Sequence, residues 1–339
     1  MKKKIIAVAA GMVIGISAFF SGCSCQGADP LSFNISIEPE TLTYTVEYDA
    51  NYIESYKKDS SVGDFFEYGE GTYVSTCKKV VDRTGINSDI KDQLNDKDIF
   101  ELTTEFNIDL QFTISGTTYT RTETISTLSY IASSGMSLAP LYAKESAEYV
   151  IFSSTESNVQ AAIVKTESET FYDQENYSKT KKYKTFNIDE EIVFDDAKTE
   201  EYKEKYTFRT AIDNTELYFA LRGLAMSIQE NSSTKISVIS PSFNNPESLT
   251  IKNNGNSTDK FTFKYNGTEI TENITYTNLA YNLSDTNASG KPQYVLIQKD
   301  NTDTLKNCNI PLRFAKPLFL YSSFVNLGAL VFTISEIER

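Results

Sequence analysis

The sequence predicts a strand-dominated α+β fold, with antiparallel meander sheets and one main amphipathic helix at about residues 213–230. Three observations predict it. Apolar and polar residues alternate over many short stretches, which is the period of half-buried strands. The pair Asn266-Gly267, which favours a type I′ hairpin turn, lies between two such stretches. A single stretch carries large aliphatic residues at helical spacing.

The first part of the chain, residues 31–212, is expected to be rich in β-strand. Residues 42–48 alternate clearly, and the strongest pattern is a hairpin at 108–125 with its turn at Ser115-Gly116. Residues 133–147 contain glycine and proline, so we expect a loop or a short irregular helix there. The charged run 198–205 is compatible with either helix or strand. The return strand of the hairpin places four residues on one face: Tyr119, Arg121, Glu123 and Ile125.

The predicted helix opens the second part of the chain, residues 213–339. Asp213 and Glu216 have capping-box spacing, and Asn231 is a plausible stop. The apolar stripe, which should pack against the sheet, consists of Leu217, Leu221, Leu224 and Ile228. One large domain or two domains with a break near 213–230 both remain open.

The second part also contains the predicted Asn266-Gly267 hairpin. A two-residue turn there places Phe263 opposite Ile270 and Lys264 opposite Glu269. An apolar pair and an opposite-charge pair on alternate faces favour this register.

Composition excludes several classes of function. The 339 residues include no histidine, which removes Ser-His-Asp and Cys-His catalysis and every histidine-containing zinc site. The formal charge of −14 makes nucleic acid an unfavourable partner. An enzyme would have to use carboxylate pairs, lysine, tyrosine or a bound cation. We identify no catalytic residue and expect no cofactor.

The N-terminus has the pattern of a secretory signal. Lys2, Lys3 and Lys4 precede an apolar run at 5–20, which is shorter than the ~20 residues of a spanning helix. The run is closed by the small residues Ser21 and Gly22 before Cys23.

The ending Phe20-Ser21-Gly22-Cys23 resembles the lipobox of bacterial lipoproteins, although Phe20 replaces the usual leucine. The resemblance implies cleavage between Gly22 and Cys23, with a diacylglyceryl group that carries acyl chains such as palmitate on the Cys23 thiol. Residues 1–22 would then be the signal peptide and 23–30 a short spacer. The mature chain would be anchored to the cell membrane and face away from the cytoplasm.

Two further sets of residues are candidate sites. Cys77 and Cys308 could form a disulfide in an extracytoplasmic chain, the alternative being two separate buried thiols. Residues 285–290 resemble the start of a calcium loop, but Leu296 occupies the position of the final glutamate, so a polar hairpin loop is the default. The weak calcium ligands would be Asp285, Asn287 and Ser289.

These observations favour a membrane-anchored, non-enzymatic lipoprotein that binds a ligand or a protein partner. One alternative is a carrier of lipid or another hydrophobic ligand, built as an open half-barrel. Another is a carboxylate-based hydrolase. A deep cavity between helix and sheet would favour the carrier, a filled core the interaction role, and two facing carboxylates the hydrolase.

Overall fold

The computed structural model describes residues 39–82, 84, 86, 98–134, 137–155, 158–172, 176–193, 199–205, 211–239, 247–283, 293–299, 304–305, 309–320 and 325–339. The strands of this part are β1 Glu40–Asp49, β2 Phe66–Lys79, β3 Asp98–Ile114, β4 Thr117–Ser134, β5 Ser137–Thr155, β6 Asn158–Tyr172, β7 Asn176–Asn187, β8 Thr199–Lys205, β9 Ala211–Asp213, β10 Ser233–Ile239, β11 Glu247–Tyr265, β12 Thr268–Leu283, β13 Gln293–Gln298, β14 Pro311–Leu320 and β15 Val325–Glu338.

All of these strands belong to one sheet, which confirms the predicted strand-dominated fold. Strands β1 to β8 form one antiparallel meander, and β10 to β15 form a second. Antiparallel pairing of β1 with β15 joins the two meanders, so strands from both predicted parts of the chain share the sheet. Short parallel pairings link β9 to β10 and β11 to β15. Strand β5 also lies close to β9 and β14, so the sheet curls back on itself.

The hairpin between β11 and β12 has the predicted register. Phe263 pairs with Ile270 and Lys264 with Glu269. The turn residues Asn266 and Gly267 have φ of 47° and 78°, the left-handed values that a type I′ turn needs.

The prediction of a loop or irregular helix at 133–147 is wrong. Strand β4 continues to Ser134, and β5 begins at Ser137 and runs through Pro140. Pro140 pairs opposite Ile131, next to a register shift in the β4–β5 ladder. Such an irregularity accommodates a residue that lacks a backbone N–H. The ambiguous run 198–205 is strand β8 from Thr199.

The predicted helix is present but shorter than 213–230. Helix α1 spans Leu217–Ser227 and follows a 3₁₀ turn at Asn214–Glu216. The Asp213 carboxylate accepts from the Thr215 backbone N–H at 2.9 Å and from the Thr215 hydroxyl at 2.8 Å. Asp213 is therefore the N-cap of this first turn. The predicted stripe is buried, with Leu217, Leu221, Leu224 and Ile228 each at most 8% exposed.

Stacked aromatic rings fill the space beside α1. The Tyr218 ring lies 4.2 Å from that of Phe314, and Phe314 stacks on Phe332 at 4.5 Å. Tyr44 meets the edge of Phe314 at 5.3 Å and donates to the Pro311 carbonyl at 2.8 Å. We call Tyr44, Tyr73, Tyr218, Phe314 and Phe332 the aromatic layer.

A buried ion pair fixes the helix to the ends of the sheet. Glu40 at the start of β1 pairs with Arg222 of α1 and accepts from Arg339 Nη2 at 2.7 Å. Burial alone would raise the pKa of Glu40, but the two arginines outweigh it and hold the pKa below its ordinary value. Among the described residues, none of the helices has the length and apolar character needed to cross a membrane.

Candidate binding site: a charged layer inside the sheet

Several charged side chains occupy strand positions that face the interior. Glu145 on β5 lies between the buried Ala143 and Ala147, two residues away on either side. Lys316 on β14 likewise follows Phe314, the centre of the aromatic layer. Because strand side chains alternate with period two, these charges share a face with apolar neighbours. The charged layer, as we define it, consists of Glu123, Glu145, Lys179, Lys181, Asp213, Glu247 and Lys316.

Glu123 on β4 is only 3% exposed. Its Oε1 accepts from the Val150 backbone N–H at 2.9 Å, and its Oε2 accepts from the Tyr68 hydroxyl at 3.4 Å. Burial raises the pKa of Glu123, while the Val150 N–H and the charge of Lys316 oppose that rise. Burial lowers the pKa of Lys316, against the attraction of Glu123 and Glu145. The Lys316 amine therefore interacts with carboxyl groups of two neighbouring strands.

Glu145 is the least satisfied member of the layer. Burial, followed by the charge of Asp213, raises its pKa to about 7, although Lys181, Lys316 and Lys179 act in the opposite direction. Its Oε1 is buried and has no hydrogen-bond partner among the described residues. A buried carboxylate oxygen without a donor costs free energy.

Asp213 and Glu247 extend the layer towards β9 and β11. Asp213 Oδ2 accepts from the Tyr172 hydroxyl, and its Oδ1 accepts from Thr215. Burial is the largest cause that raises the pKa of Asp213. Burial also raises the pKa of Glu247 to about 8, against the attraction of Lys179. Lys179 thus lies within electrostatic range of both carboxyl groups.

This arrangement can bind charge and donate or accept hydrogen bonds. It brings four carboxyl groups and three amines from β4, β5, β7, β9, β11 and β14 into one interior region. Lys316 is half-buried, so solvent reaches the layer at β14. Buried titratable groups with raised or lowered pKa values are typical of functional sites.

An apolar end adjoins the charged layer on the side away from the aromatic layer. Its buried residues are Leu110, Phe112, Val150, Phe152, Leu320 and Leu327. Half-buried side chains pack around them, and the Phe65 ring meets Phe152 edge-on at 5.0 Å. Lys58 Nζ lies 5.4 Å from the centre of the Phe66 ring. We call this region, including Phe65, Phe66 and Tyr119, the apolar end.

The site residues predicted from sequence fall mostly outside the described part of the chain. Gly22 and Cys23 lie there, as do the three calcium candidates Asp285, Asn287 and Ser289. Within the described part, no cluster of three metal-ligating side chains occurs. Cys77 is buried on β2, and burial raises the pKa of its thiol to about 12. Cys308 lies outside the described residues, so the disulfide stays a prediction.

Sequence reasoning placed one member of the charged layer correctly without recognising the site. Glu123 was expected on the face shared with Tyr119 and Ile125, and it is buried there. Glu145 and Lys316 share one feature of the sequence, which is a buried apolar residue two positions away in the same strand.

No family model matches the chain, and no curated protein matches it in sequence. Its structure is similar to one described as "Crystal Structure of Beta-barrel-like Protein of Domain of Unknown Function DUF1849 from Brucella abortus". The TM-score is 0.44 at 8% sequence identity, and the match covers 88% of this chain and 96% of the other.

Proposed function

We propose that this protein is a lipid-anchored, extracytoplasmic binding protein without catalytic activity, and that its charged layer receives the ligand. The observation that carries the proposal is a buried carboxylate oxygen of Glu145, inside the sheet, that has no donor in the part of the chain that the structure describes. The lipobox-like segment ending at Cys23 supports the location.

The free energy that the fold loses by burying the charged layer supports a role in binding. Replacing buried ionic groups by apolar residues of similar volume is often neutral or stabilising. The residues that flank Lys316 along β14 belong to the aromatic layer and the apolar end, so an apolar side chain at that position would have apolar neighbours. Buried polar groups that destabilise the fold are expected at functional sites, where the requirements of function override those of stable packing.

The anchor places this interior near a membrane surface. Strand β1 begins at Glu40, and the 16 residues between Cys23 and Glu40 allow a distance of at most about 60 Å between these two residues. Two acyl chains on Cys23 would hold the protein more firmly than one.

The anchoring is tested with Cys23→Ala in the full-length chain. Labelling with a radioactive fatty acid should be lost, and the precursor should remain uncleaved. Cys25→Ala serves as the matched control and should label like the parent. Continued labelling of the Cys23→Ala protein would refute the anchor.

The binding role is tested by native mass spectrometry of the protein purified from its host under gentle conditions. We expect a co-purifying small polar molecule that is lost on unfolding and reduced in Glu145→Gln. A bare chain in repeated preparations, together with no stabilisation by any small charged molecule, would refute the proposed function.

The apolar end favours a second candidate, a carrier of hydrophobic ligands. Half-buried Phe65, Phe66 and Tyr119 could contact an acyl chain. The aromatic layer argues against a ligand beside α1, because stacked rings already fill that space. Mass spectrometry of an organic-solvent extract of the purified protein distinguishes the two candidates. One lipid molecule per chain, in addition to the lipid on Cys23, would favour the carrier.

A further inference from the structure

The charged layer has an excess of acid over base. Glu123, Glu145, Asp213 and Glu247 provide four carboxyl groups, against three amines from Lys179, Lys181 and Lys316. The amines are shared, since Lys179 acts on Glu145, Asp213 and Glu247, and Lys316 acts on Glu123 and Glu145. With all seven groups ionised, one further positive charge would balance the layer; because the pKa of Glu247 is about 8, this excess is complete only at alkaline pH.

One buried carboxylate oxygen of the layer lacks a hydrogen-bond donor among the described residues. Asp213 receives donors from Tyr172 and Thr215, and Glu123 receives them from Val150 and Tyr68. Glu145 Oε1 is a fully buried carboxylate oxygen of this layer and has no hydrogen-bond partner among the described residues. A ligand that completes the layer must therefore donate an N–H or O–H to that oxygen.

Charge and hydrogen bonding together specify the ligand class. A primary ammonium group supplies both the missing charge and N–H donors. An anion would meet amines that already interact with carboxyl groups, and it would leave Glu145 Oε1 without a donor. A neutral hydroxyl would supply the donor but leave the excess negative charge.

We propose that the charged layer binds the ammonium head of a primary amine, with Glu145 Oε1 as its principal acceptor. This inference rests on the proposed binding function and names its ligand class. The head enters beside the half-buried Lys316, between β5 and β14. Glu145 faces Asp213 from β9, Lys179 and Lys181 from β7, and Lys316 from β14.

Binding by this route depends on pH in a defined direction. Glu145 must be ionised to hold the ammonium group, and its pKa is about 7 in the free protein. Affinity should therefore rise as the pH rises through 7, while a simple alkylammonium stays protonated. A site built on lysines for an anion would show the opposite trend.

The test is a titration of the full mature chain with methylammonium chloride at pH 8, against sodium chloride of equal ionic strength. We expect methylammonium to raise the thermal midpoint with saturation, and tetramethylammonium, which has no N–H, to have no such effect. Glu145→Gln should weaken methylammonium binding at least tenfold, whereas Glu105→Gln, on an exposed site of β3, should leave it unchanged. Lowering the pH to 6 should weaken binding to the parent protein, which tests the idea without any variant.

Several outcomes would overturn the inference. One is that methylammonium and sodium change the thermal midpoint of the parent protein equally. Another is that Glu145→Gln binds methylammonium as tightly as the parent does. If sodium acetate stabilises the protein instead, or if the co-purifying molecule is an anion, the ammonium site is wrong while the binding function stands. If methylammonium and acetate both fail and native mass spectrometry shows a bare chain, both proposals fall.

Discussion

Replacement of Glu145 by glutamine should stabilise the protein at alkaline pH. The Glu145 carboxyl is 3% exposed, and burial raises its pKa from 4.5 to about 7. A group whose pKa is raised in the folded state binds more protons there than in the unfolded state. It stabilises the fold fully below pH 4.5, and that stabilisation is lost as the pH rises through 7.

The magnitude follows from the same shift. Each pKa unit corresponds to about 1.4 kcal/mol, so the ionised side chain costs about 3 kcal/mol at pH 8. Structural relaxation and water entry reduce this cost. We therefore expect the effect of Glu145→Gln on the free energy of unfolding to be about 1–3 kcal/mol more favourable at pH 8 than at pH 5.

Urea unfolding of the parent and the variant at both pH values measures this gain. Glu105→Gln is the matched control because its side chain is exposed, and its effect should be small and similar at both pH values. A Glu145→Gln effect that is the same at pH 5 and pH 8, or a loss of stability confined to pH 8, would refute the reasoning.

Three further predictions concern the scaffold. Leu221→Ala should cost about 2–5 kcal/mol in thermal or urea unfolding, because Leu221 is 0% exposed, whereas Met226→Ala on the exposed side of α1 should cost little. Glu40→Gln should lower the stability by about 3–5 kcal/mol, since it leaves the buried Arg222 without its charge partner; an unchanged urea midpoint would show that the pair is dispensable. Gly267→Val should cost about 1 kcal/mol or more from its φ of 78° alone, because a Cβ there would meet no atom within 4 Å; equal stability would contradict the turn geometry.

Local patterns in the sequence were sufficient for the hairpin and for the buried face of the helix. The Asn266-Gly267 turn fixes the pairing of Phe263 with Ile270 through backbone geometry, and that pairing is local. The stripe through Leu221 follows from helical spacing. These features depend on residues near one another in the chain.

Features that depend on distant contacts could not be predicted. The pairing of β1 with β15 joins residues almost 300 positions apart, and the sequence of neither strand indicates which strand it pairs with. The first part of strand β5, up to residue 147, was missed because alanine and proline have low β propensity, and its pairing with long neighbours on both sides overrides that preference.

The charged layer was missed for a related reason. A glutamate between the small residues Ala143 and Ala147 is compatible with an exposed strand face, so the sequence alone did not indicate that Glu145 is buried. Only the curling of the sheet, which brings β5 close to β9 and β14, makes that face an interior.

The titration of Glu145 itself tests the central claim most directly. Carbon-13 NMR of the side-chain carboxyl groups, with the Glu145 resonance assigned by its loss in Glu145→Gln, reports the ionisation of this one group. We predict a midpoint near pH 7 in the free protein, moving to lower pH when methylammonium is added. A midpoint near the ordinary value of 4.5 that methylammonium does not move would contradict both the buried charge and its role in binding.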